Sequence, residues 1–272
     1  MTAGSQWEQA RAALVEPDPA AKCRRVAALW EQVTSGRWVP ADPGRLGDLS
    51  CGRPQRPEMV PPGQLPRRGL GSVEGRQALI HAIAHIEFNA INLGLDAALR
   101  FPGMPEEFYR DWLRVAADEA RHFAMLNARL GELGATYGDL PAHNGLWEMA
   151  EKTAHDVLIR MALVPRVLEA RGLDVTPGMI ERLGAVGDDD TVALLKIILE
   201  EEEEHVAIGS RWFRSLCAQR RLEPEATFRR LLQDYFSAPL RGPFNLDARR
   251  RAGFSDAEID RLAAMDRAGG PV

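Results

Sequence analysis

Cysteine is scarce in this chain: three in 272 residues, Cys23, Cys51 and Cys217, with no Cys-x-x-Cys pair. An odd, scattered set of thiols excludes a disulfide framework and a thiolate zinc site, and it fits a reducing compartment. Positive charge is not in surplus. Thirty-four Lys and Arg stand against 39 Asp and Glu, a formal net charge of −5. That argues against a general nucleic-acid or membrane-surface binder and leaves room only for a local basic patch. No uninterrupted apolar run reaches the length of a membrane span, so none is expected. The opening MTAGSQWEQARAAL lacks the basic start and apolar run of a secretory leader, and a cytoplasmic location is the expectation. Alternation of β-branched and polar residues is missing as well. The longer apolar stretches repeat with helical periodicity, so the expected fold class is all-α.

What is present is ordinary for a globular chain, with 45% hydrophobic and 27% charged residues, and suffices for a sizeable core. Two modest helices are expected over 5–16 and 19–35, the second opened by Asp18 with Pro19 in first position and striped by Val26, Leu29, Trp30 and Val33. Glycine and proline then crowd residues 36–72, which forbids a long helix or a central strand. Trp38, Leu46, Leu49, Met59, Val60, Leu65 and Leu70 recur through that span, too apolar for a free linker. It is expected as an arm lying on the helical body, with a partly disordered lead-in as the alternative. Long helices should follow over 72–100, 105–133, 145–171 and 189–221, the third kinked at Pro165 and stopped by Gly172. Thr176-Pro177 should start a short helix, and another should run over 224–236. The tail contains Pro239, Pro243 and the run Arg249–Arg251, then a capping-box pattern of Ser255 with Glu258.

Two of the long helices carry Glu-x-x-His: Glu119 with His122, and Glu202 with His205. Each residue turns an α-helix by about 100°, so positions three apart share a face. Over 72–100, Glu87 is the one charged member of a stripe of Ile80, Ile83, Ala84, Ala90, Ile91 and Gly94. Over 105–133, Glu119 and His122 are the polar members of a face with Trp112, Val115, Ala116, Phe123 and Leu126. Leu195, Ile198, Leu199, Val206 and Gly209 flank Glu202 and His205. A carboxylate on such a face must be paired, protonated or bound to metal, because burying it alone is costly. Glu87 precedes Glu119 by 32 positions and Glu169 precedes Glu202 by 33. The chain therefore reads as two helix hairpins, each giving a Glu and then Glu-x-x-His. Four carboxylates and two imidazoles without a thiolate suit two metal ions, iron first and manganese second.

Several positions stay open. Glu201 is an alternative to Glu202, and another residue of the third helix to Glu169. Glu151 and His155 share roughly the face of Glu169 but lie several turns away. The rest of Glu200–Glu204 is expected as a solvated face. His81 and His85, spaced i,i+4, could bind a metal but face away from Glu87, so a supporting or a surface role is expected, and His143 sits in a turn with none assigned. Tyr109, Tyr137 and Tyr235 are candidates for redox activity. Arg249–Arg251 is either a grip for phosphate or RNA, or a solvated helix end.

The blocks HAIAHIEFNAINLGLDAALRF, FYRDWLRVAADEARHF, GDLPAHNGLWEMAEKTAHDVLIRMALVPRVLEARGLDVTPGMIERL and EEEEHVAIGSRWF resemble a bacterial ferritin-like family defined as a domain of unknown function, DUF455. The likeness runs from the N-terminal helices to the FNLDARRRAGFS tail. It implies a ferritin-like four-helix bundle holding two metals, and kinship with bundle enzymes such as the tRNA-modifying non-haem di-iron monooxygenases. Residues 1–71 would form the N-terminal helices and arm, 72–221 the bundle and 222–272 the C-terminal helix and tail, in one structural domain overall. The expected activity is oxidation or hydroxylation of an organic substrate by oxygen, with Glu87, Glu119, His122, Glu169, Glu202 and His205 as ligands and no catalytic residue separable from them. The substrate would be a small molecule or a modified nucleotide, the partner an electron-donor protein, and the assembly a monomer or dimer. The alternative is a ferroxidase or iron store of ferritin type, although the arm and tail would crowd the surface of a cage. A bundle that has lost its metal is the third reading, against which the complete ligand set argues.

Overall fold

Local capping chemistry sets where most of the helices begin. In the computed structural model, which describes residues 3–44, 49–65, 69–237 and 240–268, α1 (Ala3–Leu14) is followed by α2 (Pro19–Thr34). The Asp18 carboxylate accepts the Ala21 N–H at 2.7 Å, with Pro19 in the first turn. Ser72 caps α3 (Val73–Arg100) through the Gly75 N–H, and Pro105 precedes α4 (Glu106–Glu132). Leu46 and Pro239 lie outside the described residues. Among the described residues there is no strand; one isolated parallel bridge joins Met59 to Ala142. The chain groups into two compact units, Met1–Glu148 and Met149–Val272, with the division falling between the two expected hairpins.

In the first unit α3 packs along α4, α2 lies on α4, and α1 lies on α2 and α3. Gly94 permits the close crossing of the long pair: a Cβ there would stand 2.9 Å from the backbone of Trp112 and Ala116. The described parts of 36–72 are tied to these helices. Trp38 is buried edge-on against Trp7 at 4.9 Å, the Gly52 N–H donates to Leu14 O, and Arg100 Nη2 donates to Leu49 O. By length and composition α3 could cross a membrane, although Glu87 and Asp96 break its apolar run; 78% of its most apolar window is buried in the structure. Packing against protein accounts for that apolar character.

Lys22 is fully buried on α2. Its ammonium donates to Leu14 O and to Asn92 Oδ1 and lies over the Phe88 ring. Burial pulls its pKa down to about 8. The unfolded chain holds this proton up to about pH 10.4, so between 8 and 10.4 the unfolded state binds more protons and folding strengthens as pH rises. Below pH 8 both states are protonated and the penalty is complete. Measured against Lys22→Met by urea denaturation, wild type should gain about 3 kcal/mol across that window. A pH-independent difference would rule out this assignment.

In the second unit the expected helix over 145–171 is in pieces. α5 (Gly145–Lys152) spans the division between the units. The chain then turns, and Asp156 caps α6 (Val157–Leu163) through the Leu158 N–H. A π-helical turn, Val164–Glu169, carries Pro165 and leads into α7 (Ala170–Gly184). Gly172 therefore does not stop the helix, and Pro177 lies inside it rather than at the start of another. Pro177 supplies no N–H to the Leu173 carbonyl four residues back; the Asn245 side-chain amide donates there instead, at 3.2 Å. α8 (Asp189–Gln219) packs on α6, the π turn and α7. At Gly209 a Cβ would stand 2.3 Å from the Pro165 ring, so glycine makes room for the proline. α9 (Pro224–Tyr235), α10 (Leu246–Arg251) and α11 (Asp256–Ala268) complete the unit. The expected capping box forms in both directions: Ser255 N–H to Glu258 Oε2 at 2.9 Å, and Glu258 N–H to Ser255 Oγ at 3.2 Å.

The run Arg249–Arg251 is a solvated helix end at two of its three positions, Arg250 and Arg251, while Arg249 departs from both expected roles. Arg249 is buried and grips Asp174 with two nitrogens, at 2.9 and 2.7 Å. Arg250 and Arg251 are exposed but pair with Asp247 and Glu203. The helical turn swings the first arginine inward to a carboxylate 75 positions away in sequence.

Candidate metal centre

Glu87 projects from α3, and Glu119 and His122 from successive turns of α4; all three are buried. His122 Nδ1 stands 3.2 Å from Glu87 Oε2 and 3.3 Å from Glu119 Oε2. Each of the three groups offers a ligand atom within 4.8 Å of the others. Burial and the adjacent Glu119 charge push Glu87 up to about 8. Burial opposes a charge on His122, but the hydrogen bonds and charges of Glu119 and Glu87 outweigh it and carry the imidazole up to about 11. Two carboxylates and one imidazole around a common point, away from water, call for a positive charge, which a proton or a metal ion can supply. This buried group could hold a metal ion.

The second unit presents the same residue types. Glu169 closes the π turn, Glu202 and His205 lie on α8, and all three are buried. His205 Nδ1 is 3.8 Å from Glu202 Oε1. Glu202 Oε2 is buried without a hydrogen-bond partner. In both units, then, an imidazole turns Nδ1 toward the Glu one helical turn before it. An orphaned buried carboxylate oxygen beside an imidazole is a donor set that fits a metal ion.

A family model described as "Protein of unknown function (DUF455)" matches residues 15–260. The chain belongs to DUF455. A Haemophilus influenzae protein named "Uncharacterized protein" is 44% identical to it over 96% of this chain and 94% of its own length. No solved structure matches the chain.

The remaining residues of this DUF455 chain sort by position. Glu201 and Glu203 are half-buried, and Glu200 and Glu204 are exposed, so the solvated part of α8 begins two residues either side of Glu202. Glu151 and His155 are exposed. His81 and His85 are buried, against the surface alternative. The Gly138 N–H donates to His81 Nε2 at 2.9 Å, and His85 Nδ1 shares a hydrogen bond with the Tyr137 hydroxyl at 2.9 Å. His85 Nε2 lies 3.2 Å from the His143 carbonyl. The two histidines thus hold the 134–144 connection onto α3. Tyr137 rests on Phe88 and Phe123, the chain neighbours of Glu87 and His122, at ring distances of 5.7 and 5.0 Å. Tyr109 is buried, donating to Phe101 O, and Tyr235 lies beside His155.

Sequence reasoning passed over Lys22, Arg160 and Arg166, all buried. For Lys22 a signal exists: it continues the Val26, Leu29, Val33 stripe one turn earlier. For Arg166, which donates to Glu258 at 2.7 Å from a site 2% exposed, no local signal exists, since its partner is 92 residues away.

Proposed function

We propose that the chain is a ferritin-like four-helix-bundle protein that holds two metal ions, with Glu87, Glu119, His122, Glu169, Glu202 and His205 as ligands, and that it uses oxygen to oxidise or hydroxylate an organic substrate. The observation that carries this reading is the buried Glu87–Glu119–His122 group, whose ligand atoms lie within 4.8 Å of one another. The matching Glu, then Glu-x-x-His order of the second unit, and the partnerless Glu202 Oε2, support it. Two iron ions, with manganese as the alternative, would supply the reduction and activation of oxygen.

The chain's own part is binding, charge balance and exclusion of water. Protons held within the Glu87–Glu119–His122 group must leave for a cation to enter. Trp112, Val115, Phe123 and Leu126, all buried on the same helix as Glu119 and His122, keep water from those two ligands. The substrate is a small molecule or a modified nucleotide, an electron-donor protein supplies reducing equivalents, and the protein works in the cytoplasm as a monomer or dimer. The folded arm over α1 and α3 is more decoration than a storage cage accommodates.

The test is anaerobic loading with ferrous iron followed by exposure to oxygen. About two irons per chain, oxygen consumption that requires them, and a monomer or dimer by light scattering are the expected results. A 12-mer or 24-mer would transfer the reading to iron storage. Absence of stoichiometric iron or manganese binding would end it.

A further inference from the structure

We propose that Asn144 is a self-processing modification site: attack by the Gly145 backbone nitrogen converts its side-chain amide to a carboxylate, with His143 as the base. This is independent of the metal reading. Of the five asparagines, Asn144 alone precedes a glycine. It stands directly before α5 and caps that helix with its backbone, Asn144 O accepting the Glu148 N–H at 3.0 Å. An asparagine so placed usually turns Oδ1 to an N–H of the first turn, which holds the side chain away from the adjoining peptide. Here Oδ1 is buried and has no hydrogen-bond partner among the described residues. The Gly145 N–H, which the helix itself leaves without an acceptor, donates to His143 Nδ1 at 3.2 Å. A Cβ at position 145 would stand 3.2 Å from that nitrogen, so glycine is what lets the imidazole lie against this amide.

Because Nδ1 accepts that N–H, it presents a lone pair to the proton that must leave when the nitrogen attacks. The base is also held in place. Ala142, one residue before it, pairs with Glu58 and Val60 at 2.9 and 2.8 Å, and the His143 carbonyl lies 3.2 Å from His85 Nε2. In the reaction a bond forms between Gly145 N and Asn144 Cγ, and His143 Nδ1 takes the amide proton. The bond from Cγ to Nδ2 then breaks, the proton passes to the departing nitrogen, and ammonia leaves. Water opens the cyclic imide, at Cγ to give aspartate or at the backbone carbonyl to give isoaspartate. The sum is amide and water to acid and ammonia, with no oxidant or cofactor. The new negative charge arises at the start of α5, where the helix favours it.

The experiment incubates the full chain at neutral pH, native and in guanidinium chloride, and follows residue 144 by peptide mapping and mass spectrometry. Native protein should convert at least about tenfold faster than the denatured chain, because only the fold fixes His143 against the Gly145 amide. Enzymatic methylation of isoaspartate should label the peptide that contains residue 144. His143→Gln, which can still accept the N–H but cannot take up its proton, should bring the native rate down to the denatured one. Native Asn144 that stays intact, or converts no faster than in denaturant, would overturn the proposal, and so would an unchanged rate in folded His143→Gln. Should that variant fail to fold, the comparison of native with denatured wild type still decides.

Discussion

Glu87→Gln should abolish the thermal stabilisation given by ferrous iron while leaving the metal-free protein at least as stable as wild type. Without metal, the Glu87 carboxyl is a buried acid beside a second one, its pKa pushed up to about 8 by burial and by Glu119. The amide has nearly the same shape and carries no charge, so it removes that repulsion and can still hydrogen-bond. With metal, the balance reverses, because the amide is a poor substitute for an anionic ligand. At an iron concentration about a thousandfold above the dissociation constant, binding stabilises the native state by about 4 kcal/mol. For a protein of this size that raises the melting temperature by about 10 °C. Calorimetric scans under nitrogen, with and without iron, read both halves of the statement. An undiminished iron shift in the variant would show that Glu87 is no ligand; collapse of the metal-free variant would assign it a structural role instead.

The second large effect concerns Asp174. Its side chain is fully buried, accepts two bonds from Arg249 and one from the Asn245 N–H, and sits on α7. Asp174→Ala strands a guanidinium that is itself 2% exposed and should cost about 3–5 kcal/mol. Adding Arg249→Met removes the stranded charge and also relieves the repulsion between Arg249 and Arg166. The double variant should therefore recover most of the loss, because a paired buried charge contributes little beyond the cost of breaking the pair. Urea denaturation of the two single variants and the double decides it. A double variant as unstable as Asp174→Ala alone would mean that the loss lies in the Asn245 contact and the surrounding loop.

These two sites also mark how far the sequence could be read. α3, α4 and α8 begin and end within a residue or two of expectation, because their caps are local: Ser72 reaches Gly75, and Asp188 reaches Thr191. The burial of Glu87, Glu119, His122, Glu202 and His205 follows from their place in apolar stripes, which depends on nothing outside each helix. Arg249 was illegible for the opposite reason. A run of three arginines looks solvated unless the carboxylate that turns one of them inward is known, and Asp174 lies on another helix. Pro177 and Gly172 misled in the same way. Both are ordinary helix terminators, and the Asn245 amide that replaces the missing donor comes from beyond α9. The metal identity and substrate have no residue-level signature in either the stripes or the spacing.

The π turn at Val164–Glu169 has a further implication for how chain length is tolerated here. A single π turn accommodates one residue more than the α turn it replaces. The extra residue is taken up locally, so the helices on either side keep the faces they present to α8. Deleting one residue from 164–168 should accordingly relax the turn to an ordinary α-helix with little consequence for the flanking packing. The same deletion within α7 would rotate everything beyond it by about 100°, carrying Asp174 away from Arg249. Single-residue length differences among DUF455 sequences should therefore collect at this turn and be rare along α7.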